Sequence, residues 1–297
     1  MSNICCLLDA CTAINLIHID EDDFLLKKLD ILEVHLNDIV FNEIRDNVGK
    51  GIDNASEDRN GVEKAIDQKL TFFRGKKNNN SELLRDVGSD YFERIQRETN
   101  YTKKLNGELC SSAYALYLSR FFEKKVFFYT DDYPAKEYFA SFFDYQQIGH
   151  IKDSVDLLVL LYWLDDKFTE QQLDNVLSDL HSQYATEVTV LKRKLQNFYY
   201  SNVDATFRRT KKDIVENLNV LINKLDKLDF RDIGTLYYFF DANKSKCRGT
   251  FEIVKNYSSV FELEKKSNNE TLLGKISQTR KAIKENKIYK WNDLLSN

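Results

Sequence analysis

Asp9 follows the apolar run ICCLL (4–8), and Asp131 with Asp132 follows a second such run, KVFFYT (125–130). In an open parallel sheet, ligands collect in the crevice beyond the carboxyl ends of the strands, so acids at these two positions are placed to do chemistry. Two further acids stand near helix starts. LNDIVFNEI suits a helix capped by Asn37 with Glu43 in its second turn, and LNGELCSSAYALYLS suits one capped near Asn106. Glu108 then falls in the first turn, where the helix dipole favours its charge. Ser112 and Ala115, four and seven residues on, are small enough for a neighbouring element or a substrate to come close.

Four or five carboxylates meeting without a basic partner repel, and protonation or a divalent cation relieves the repulsion. Oxygen-only donors favour Mg²⁺ or Mn²⁺ over zinc. Facing a phosphate ester, such ions activate water and stabilise the leaving oxygen, so the expected chemistry is phosphodiester hydrolysis.

The elements around these acids read as strands alternating with helices. Besides the two apolar runs, LEVHL (32–36) is a weaker strand and YQQI (145–148) a fourth. Helical patterns cover Thr12–Ile17, Asp38–Val48, Leu109–Phe122 and Ala135–Phe143. Alternation of this kind predicts an α/β fold with a parallel sheet and right-handed crossovers. From residue 154 onward the apolar spacing is helical throughout, as in DIVENLNVLINKLDKL (213–228). The aromatic clusters at 198–200 and 236–240 are expected in its core. One proline and ten glycines in 297 residues leave few breakers.

Residues 1–185 hold 21 Lys/Arg against 33 Asp/Glu, and residues 186–297 hold 22 against 14, so the net charge of −4 hides an acidic part and a basic one. The basic part can contact phosphates or an acidic partner, with Lys192, Arg193, Lys194, Arg208, Arg209, Lys211 and Lys212 as the candidate residues. Five cysteines, three of them around one strand, make no extracellular disulfide framework, and no Cys-x-x-Cys zinc pair occurs. The first residues lack the basic start of a secretory signal, and the longest apolar run, Leu157–Leu164, is too short to span a bilayer. A cytoplasmic protein without a membrane anchor is expected.

LLDACTAINL with Asp9, the glutamate of VFNEIRD, the GE of NGELCSSAYAL and TDDYPAKEYF, in that order, resemble the acidic motifs of PIN (PilT N-terminus) domains. The resemblance covers roughly residues 1–185. It implies a PIN-like three-layer α/β/α domain with a central parallel sheet; the basic, mostly α-helical region expected at 186–297 from its spacing and charge lies outside it. It also implies a Mg²⁺ or Mn²⁺ site and endoribonuclease activity on single-stranded or structured RNA, of a toxin-like or defence-related kind. Position by position, Asp9, Glu43, Glu108 and Asp132 match the metal-binding acids, with Asp131 as the alternative fourth. Thr130 matches the hydroxyl before that acid. Cys11 stands where the family commonly has Ser, Thr or Asn, which leaves Thr12 as the nearest hydroxyl. The interval from Glu43 to Glu108 is long for a minimal domain and predicts an added loop at KGIDNASEDRNG or FRGKKNNN. An antitoxin or other protein partner, and pairing between copies, are further implications.

Other readings stay open: a catalytically silent PIN-like scaffold, or a DNA-directed nuclease. A haloacid dehalogenase phosphatase would need an acid where Cys11 stands, a metal-dependent adhesion site would need serines at 11 and 13, and no phosphate-binding glycine loop occurs.

Overall fold

The computed structural model describes residues 4–20, 23–48, 59–78, 80–88, 90–265 and 270–291. The chain falls into two compact units, Met1–Val176 with Ile288–Asn297, and Leu177–Lys287.

The first unit runs β1 (Ile4–Leu8), α1 (Ala10–Ile19), α2 (Phe24–Leu29), β2 (Val34–Asn37), α3 (Asp38–Asn47), α4 (Arg59–Gly75), β3 (Lys77–Asn78), α5 (Asn80–Val87) and α6 (Tyr91–Thr99). It continues through α7 (Gly107–Phe121), β4 (Lys125–Tyr129), α8 (Tyr133–Tyr145), β5 (Gly149–Lys152), α9 (Ser154–Leu164) and the start of α10 (Glu170–Asn202). Five parallel strands form one sheet in the order β3-β2-β1-β4-β5. The α/β fold with a central parallel sheet is therefore as the alternating pattern predicts.

Side chains alternate across a strand, so the two apolar runs serve both faces. Cys5, Leu7, Val126 and Phe128 share one apolar cluster with Ile95 of α6, Leu109 and Ala113 of α7, and Phe139 and Phe143 of α8. Cys6, Leu8 and Tyr129 point the other way and are equally buried. Complete burial of one such side chain is worth roughly 1.5–3 kcal/mol, which gives the sheet edge a rigid base on which acids can be desolvated.

Three details depart from the sequence reading. The fifth strand is Gly149–Lys152 rather than 145–148, because α8 continues to Tyr145 and the chain then turns through Gln147 at φ 53°. Ile148 anchors that turn by donating its N–H to Phe143 O. Gly149 follows at φ 155°, and a Cβ there would stand 2.0 Å from Val126 O. Only glycine lets β5 begin at this point. Second, the stretch between Glu43 and Glu108 is mostly helical, with α4, α5, α6 and the short edge strand β3; KK of FRGKKNNN lies in or beside β3, and much of KGIDNASEDRNG falls outside the described residues. Third, the helical spacing does not part near residue 185, where the resemblance ends: α10 runs through it as one continuous helix.

The second unit is largely helical: most of α10, then α11 (Ala205–Thr210), α12 (Lys212–Asp226), α13 (Ile233–Ala242), α14 (Arg248–Lys255), a 3₁₀ turn at Ser258–Glu262, the antiparallel pair β6 (Glu264–Lys265) and β7 (Glu270–Thr271), and α15 (Leu272–Lys284). Its core takes Leu218 and Leu221 of α12, Ile233 and Phe240 of α13, and Ile276 of α15. Of the aromatic residues expected inside, Phe240 is buried but Tyr200 and Tyr238 are exposed. All five cysteines are free, and no helix among the described residues is long and apolar enough to cross a membrane.

Candidate functional site

β1 and β4 are parallel neighbours with Leu8 opposite Tyr129, and the Asp9 N–H donates to Tyr129 O at 2.9 Å. Asp9 and Thr130 therefore leave adjacent strands on one edge. The chain lays β1, β2 and β3 outward to one side and places β4 and β5 on the other, so this edge lies at the reversal of strand order. That is the crevice where α/β sheets bind ligands.

Asp9 is buried, and its Oδ2 accepts from Thr130 Oγ1 at 2.8 Å and from Cys11 Sγ at 3.2 Å. Burial raises its pKa and the Glu108 charge adds to the rise, which the hydrogen bonds from Thr130, Ala10 and Cys11 only partly offset. Cys11 also accepts the Asp131 N–H at 3.2 Å, so its thiol bridges the two strand ends.

Glu43 arrives from α3. Asn37 caps that helix by accepting the Val40 N–H at 2.9 Å, while its Nδ2 donates to Gly107 O at 3.2 Å and Ser111 Oγ at 2.8 Å. One side chain thus fixes the start of α3 against the start of α7, which packs on β2 and β4. The approach is close: a Cβ on Gly107 would lie 2.8 Å from Glu43 Oε2 and 2.9 Å from Val40 Cγ2. The Glu43 carboxylate accepts the Gly107 N–H, but burial, Asp9 and Glu108 push its pKa up to about 7.

Glu108 is buried in the first turn of α7, where Asn106 caps through the Leu109 N–H at 3.2 Å. It accepts from Tyr101 Oη and, at 3.5 Å, from Lys103 Nζ, and it is hydrogen-bonded to Asp132. Burial would raise its pKa, but the bonds to Asp132, Tyr101 and Lys103 hold it below the usual carboxylate range. A hydrogen bond between two carboxyl groups requires one shared proton.

Asp9, Glu43, Glu108 and Asp132 thus meet as one interacting set, drawn from the ends of β1 and β4 and from α3 and α7. Burial and mutual charge raise the pKa of Asp9 and Glu43, so these two hold their protons to higher pH, while Glu108 is held low by its hydrogen bonds. Oxygen donors with excess negative charge suit Mg²⁺ or Mn²⁺ in type and charge. As the side chains stand, no three His, Cys, Asp or Glu among the described residues are grouped closely enough to hold an ion. Lys103, half-exposed, brings a positive charge to the rim.

Asp131 is engaged elsewhere. Its Oδ2 accepts from Asn15 Nδ2 at 2.8 Å and Ser154 Oγ at 2.5 Å, and its Oδ1 accepts the Ser154 N–H at 2.9 Å, which ties α1, the end of β4 and the start of α9 together. Thr12 joins this group, 3.5 Å from Ser154 Oγ, and the hydroxyl on Asp9 is that of Thr130. Ser112 and Ala115 are fully buried. The seven basic residues lie in the second unit: Lys192 pairs with Asp226 at 3.0 Å and Lys212 with Glu216 at 3.7 Å, Lys194 covers Tyr257, and Arg193 is exposed. Arg208, Arg209 and Lys211 gather on and beside α11.

Sequence reasoning missed Tyr101, Lys103 and the second role of Asn37. The only trace of Tyr101 is its position seven residues before Glu108, in a stretch without helical or strand periodicity. Compared with protein-family models, with curated proteins and with solved structures, the chain matches none.

Proposed function

We propose that this protein is a metal-dependent endoribonuclease, PIN-like in its first unit, that hydrolyses phosphodiester bonds of single-stranded or structured RNA in a toxin-like or defence-related role. The observation that carries this reading is the meeting of Asp9, Glu43, Glu108 and Asp132, distant in sequence, at the switch point of a parallel sheet. These four are the candidate ligands for Mg²⁺ or Mn²⁺, and bound metal would supply a water-derived nucleophile and charge stabilisation at the phosphate. Thr130 and Cys11 orient the Asp9 carboxylate. Tyr101 and Lys103 hold that of Glu108. Protons that now relieve the repulsion are the ones a divalent ion would displace. Asp131 supports the crevice from behind by joining three elements.

The basic region from 186 onward supplies the charge that an acidic catalytic part lacks for attracting RNA, or a surface for a neutralising protein partner; pairing between copies fits the same reading. Cleavage is tested with labelled single-stranded RNA, duplex RNA and single-stranded DNA, with and without Mn²⁺. RNA cleavage that requires the metal and is abolished in Asp9→Asn is expected, and undiminished cleavage by that variant refutes the site. Preferential cutting of the DNA would favour the DNA-directed reading.

A second reading has its own support. Glu108 already holds Tyr101, Lys103 and Asp132, and among the described residues no three acids are gathered for an ion, which suits a silent scaffold. Calorimetric titration separates the two, because a scaffold shows no Mn²⁺ binding that disappears in Asp9→Asn/Glu108→Gln.

A further inference from the structure

α11 has no buried residue. A helix of six residues is marginal alone in water, and this one, ATFRRT, spends none of its side chains fully on the core. Next to it stands the end of α10, where Tyr200 is 82% exposed and packs edge-on to Tyr199 with ring centroids 5.9 Å apart. The Arg208 guanidinium lies 5.6 Å from the Tyr199 ring, and Lys211 Nζ lies 4.7 Å from the Phe207 ring. Single exposed aromatics are ordinary; here exposed Tyr200, half-buried Tyr199 and Arg208 are joined ring to ring and ring to cation, and half-buried Phe207 with Lys211 forms a second aromatic–cation pair.

The charges here also differ from several others of the second unit. Lys192, Lys212 and Arg248 each face an acid, Asp226, Glu216 and Glu252 respectively. Arg208 and Arg209 form no ion pair among the described residues, and both are exposed. Two arginines left open on a helix without a packing role are available for phosphates.

We propose that Tyr199, Tyr200, Phe207, Arg208, Arg209 and Lys211 form a docking platform for a single-stranded nucleic acid. Phosphates meet the arginines, with Lys211, which donates to Lys246 O at 2.6 Å, adding positive charge beside them, and unstacked bases lie on the tyrosine rings, as every base offers a π face. An acidic protein would account for the arginines but not for an exposed tyrosine beside them, and the bases of a duplex are stacked on each other and closed to such rings. The platform deepens the reading of the protein as a nuclease by naming where its substrate is held, and it rests on that reading only for its purpose.

The test uses the full chain in EDTA, with fluorescence anisotropy of a labelled oligouridine, the matching duplex and polyglutamate as competitor. Because no metal is present, binding is read apart from cleavage. Tyr200→Ala is expected to weaken single-strand binding on the order of tenfold, with Tyr200→Phe close to wild type. Arg208→Gln/Arg209→Gln should reduce the slope of log K against log salt by about 1.4. Unchanged affinity in the tyrosine and the double arginine variants overturns the platform. So does equal binding of duplex, or displacement by polyglutamate as effective as that by the single strand. All three side chains are exposed, and circular dichroism confirms that the variants stay folded.

Discussion

Ser154 donates both its N–H and its hydroxyl to Asp131, at 2.9 and 2.5 Å, so the acid beside the candidate site is a joint between α9 and the end of β4. Its neighbour Asp132 instead shares a hydrogen bond with Glu108. The two halves of one acidic doublet thus part: Asp131 joins elements, and Asp132 faces Glu108.

Replacing them should separate the same way. Asp131→Ala removes the acceptor that Asn15 Nδ2 and both donors of Ser154 share in a buried joint, and is expected to cost about 3 kcal/mol or more in urea denaturation. Asp132→Asn keeps a side chain of the same size and should stay within about 1 kcal/mol of wild type, while losing Mn²⁺ binding and RNA cleavage. Equal stability losses would show that Asp131 has no special structural role.

Glu43 sets a pH dependence. Its folded pKa of about 7 lies above its ordinary value, so the folded protein binds more protons than the unfolded chain between about pH 4.5 and 7. Its stabilising contribution is therefore complete at low pH and lost as pH rises to about 7. Denaturation midpoints measured from pH 4.5 to 8 should fall over that window in the wild type and flatten in Glu43→Gln. Mn²⁺ added at pH 7 should release protons in an unbuffered titration and raise the midpoint again.

Tyr101 carries the opposite sign. Glu108 is held below its ordinary pKa in part by the tyrosine hydroxyl, so that contribution is present above the unfolded pKa and fades as pH falls through the folded one. Tyr101→Phe should cost roughly 1.5–3 kcal/mol at pH 7 and markedly less at low pH. Carboxyl ¹³C resonances should show the Glu108 titration moved upward; a curve superimposable on the wild type would remove Tyr101 from the site.

Much of this arrangement is local information. ICCLL and KVFFYT read as buried strands because continuous apolar runs are what a sheet covered on both faces requires. Asn37 and Asn106 read as caps because a short side-chain acceptor satisfies the free N–H groups of a helix start, and both do so, to Val40 and Leu109. YQQI misled because it carries Ile148 at a turn anchor, while the real strand, GHIK, is an edge with one side half-open and no apolar rhythm. Lys77–Asn78 within FRGKKNNN is an edge strand of two residues, too short to leave any pattern.

Sequence by itself determined which acids end strands and which begin helices, since these follow from apolar periodicity and capping within a few residues of each position. It also determined that the chain turns from acidic to basic. Tertiary structure alone decided that Asp132 rather than Asp131 faces Glu108, that Cys11 and Thr130 share Asp9, that Tyr101 stands against Glu108, and that Tyr200 is left in solvent. These are contacts between residues up to 121 positions apart or choices of face, set by strand order and helix packing, and no local spacing encodes them.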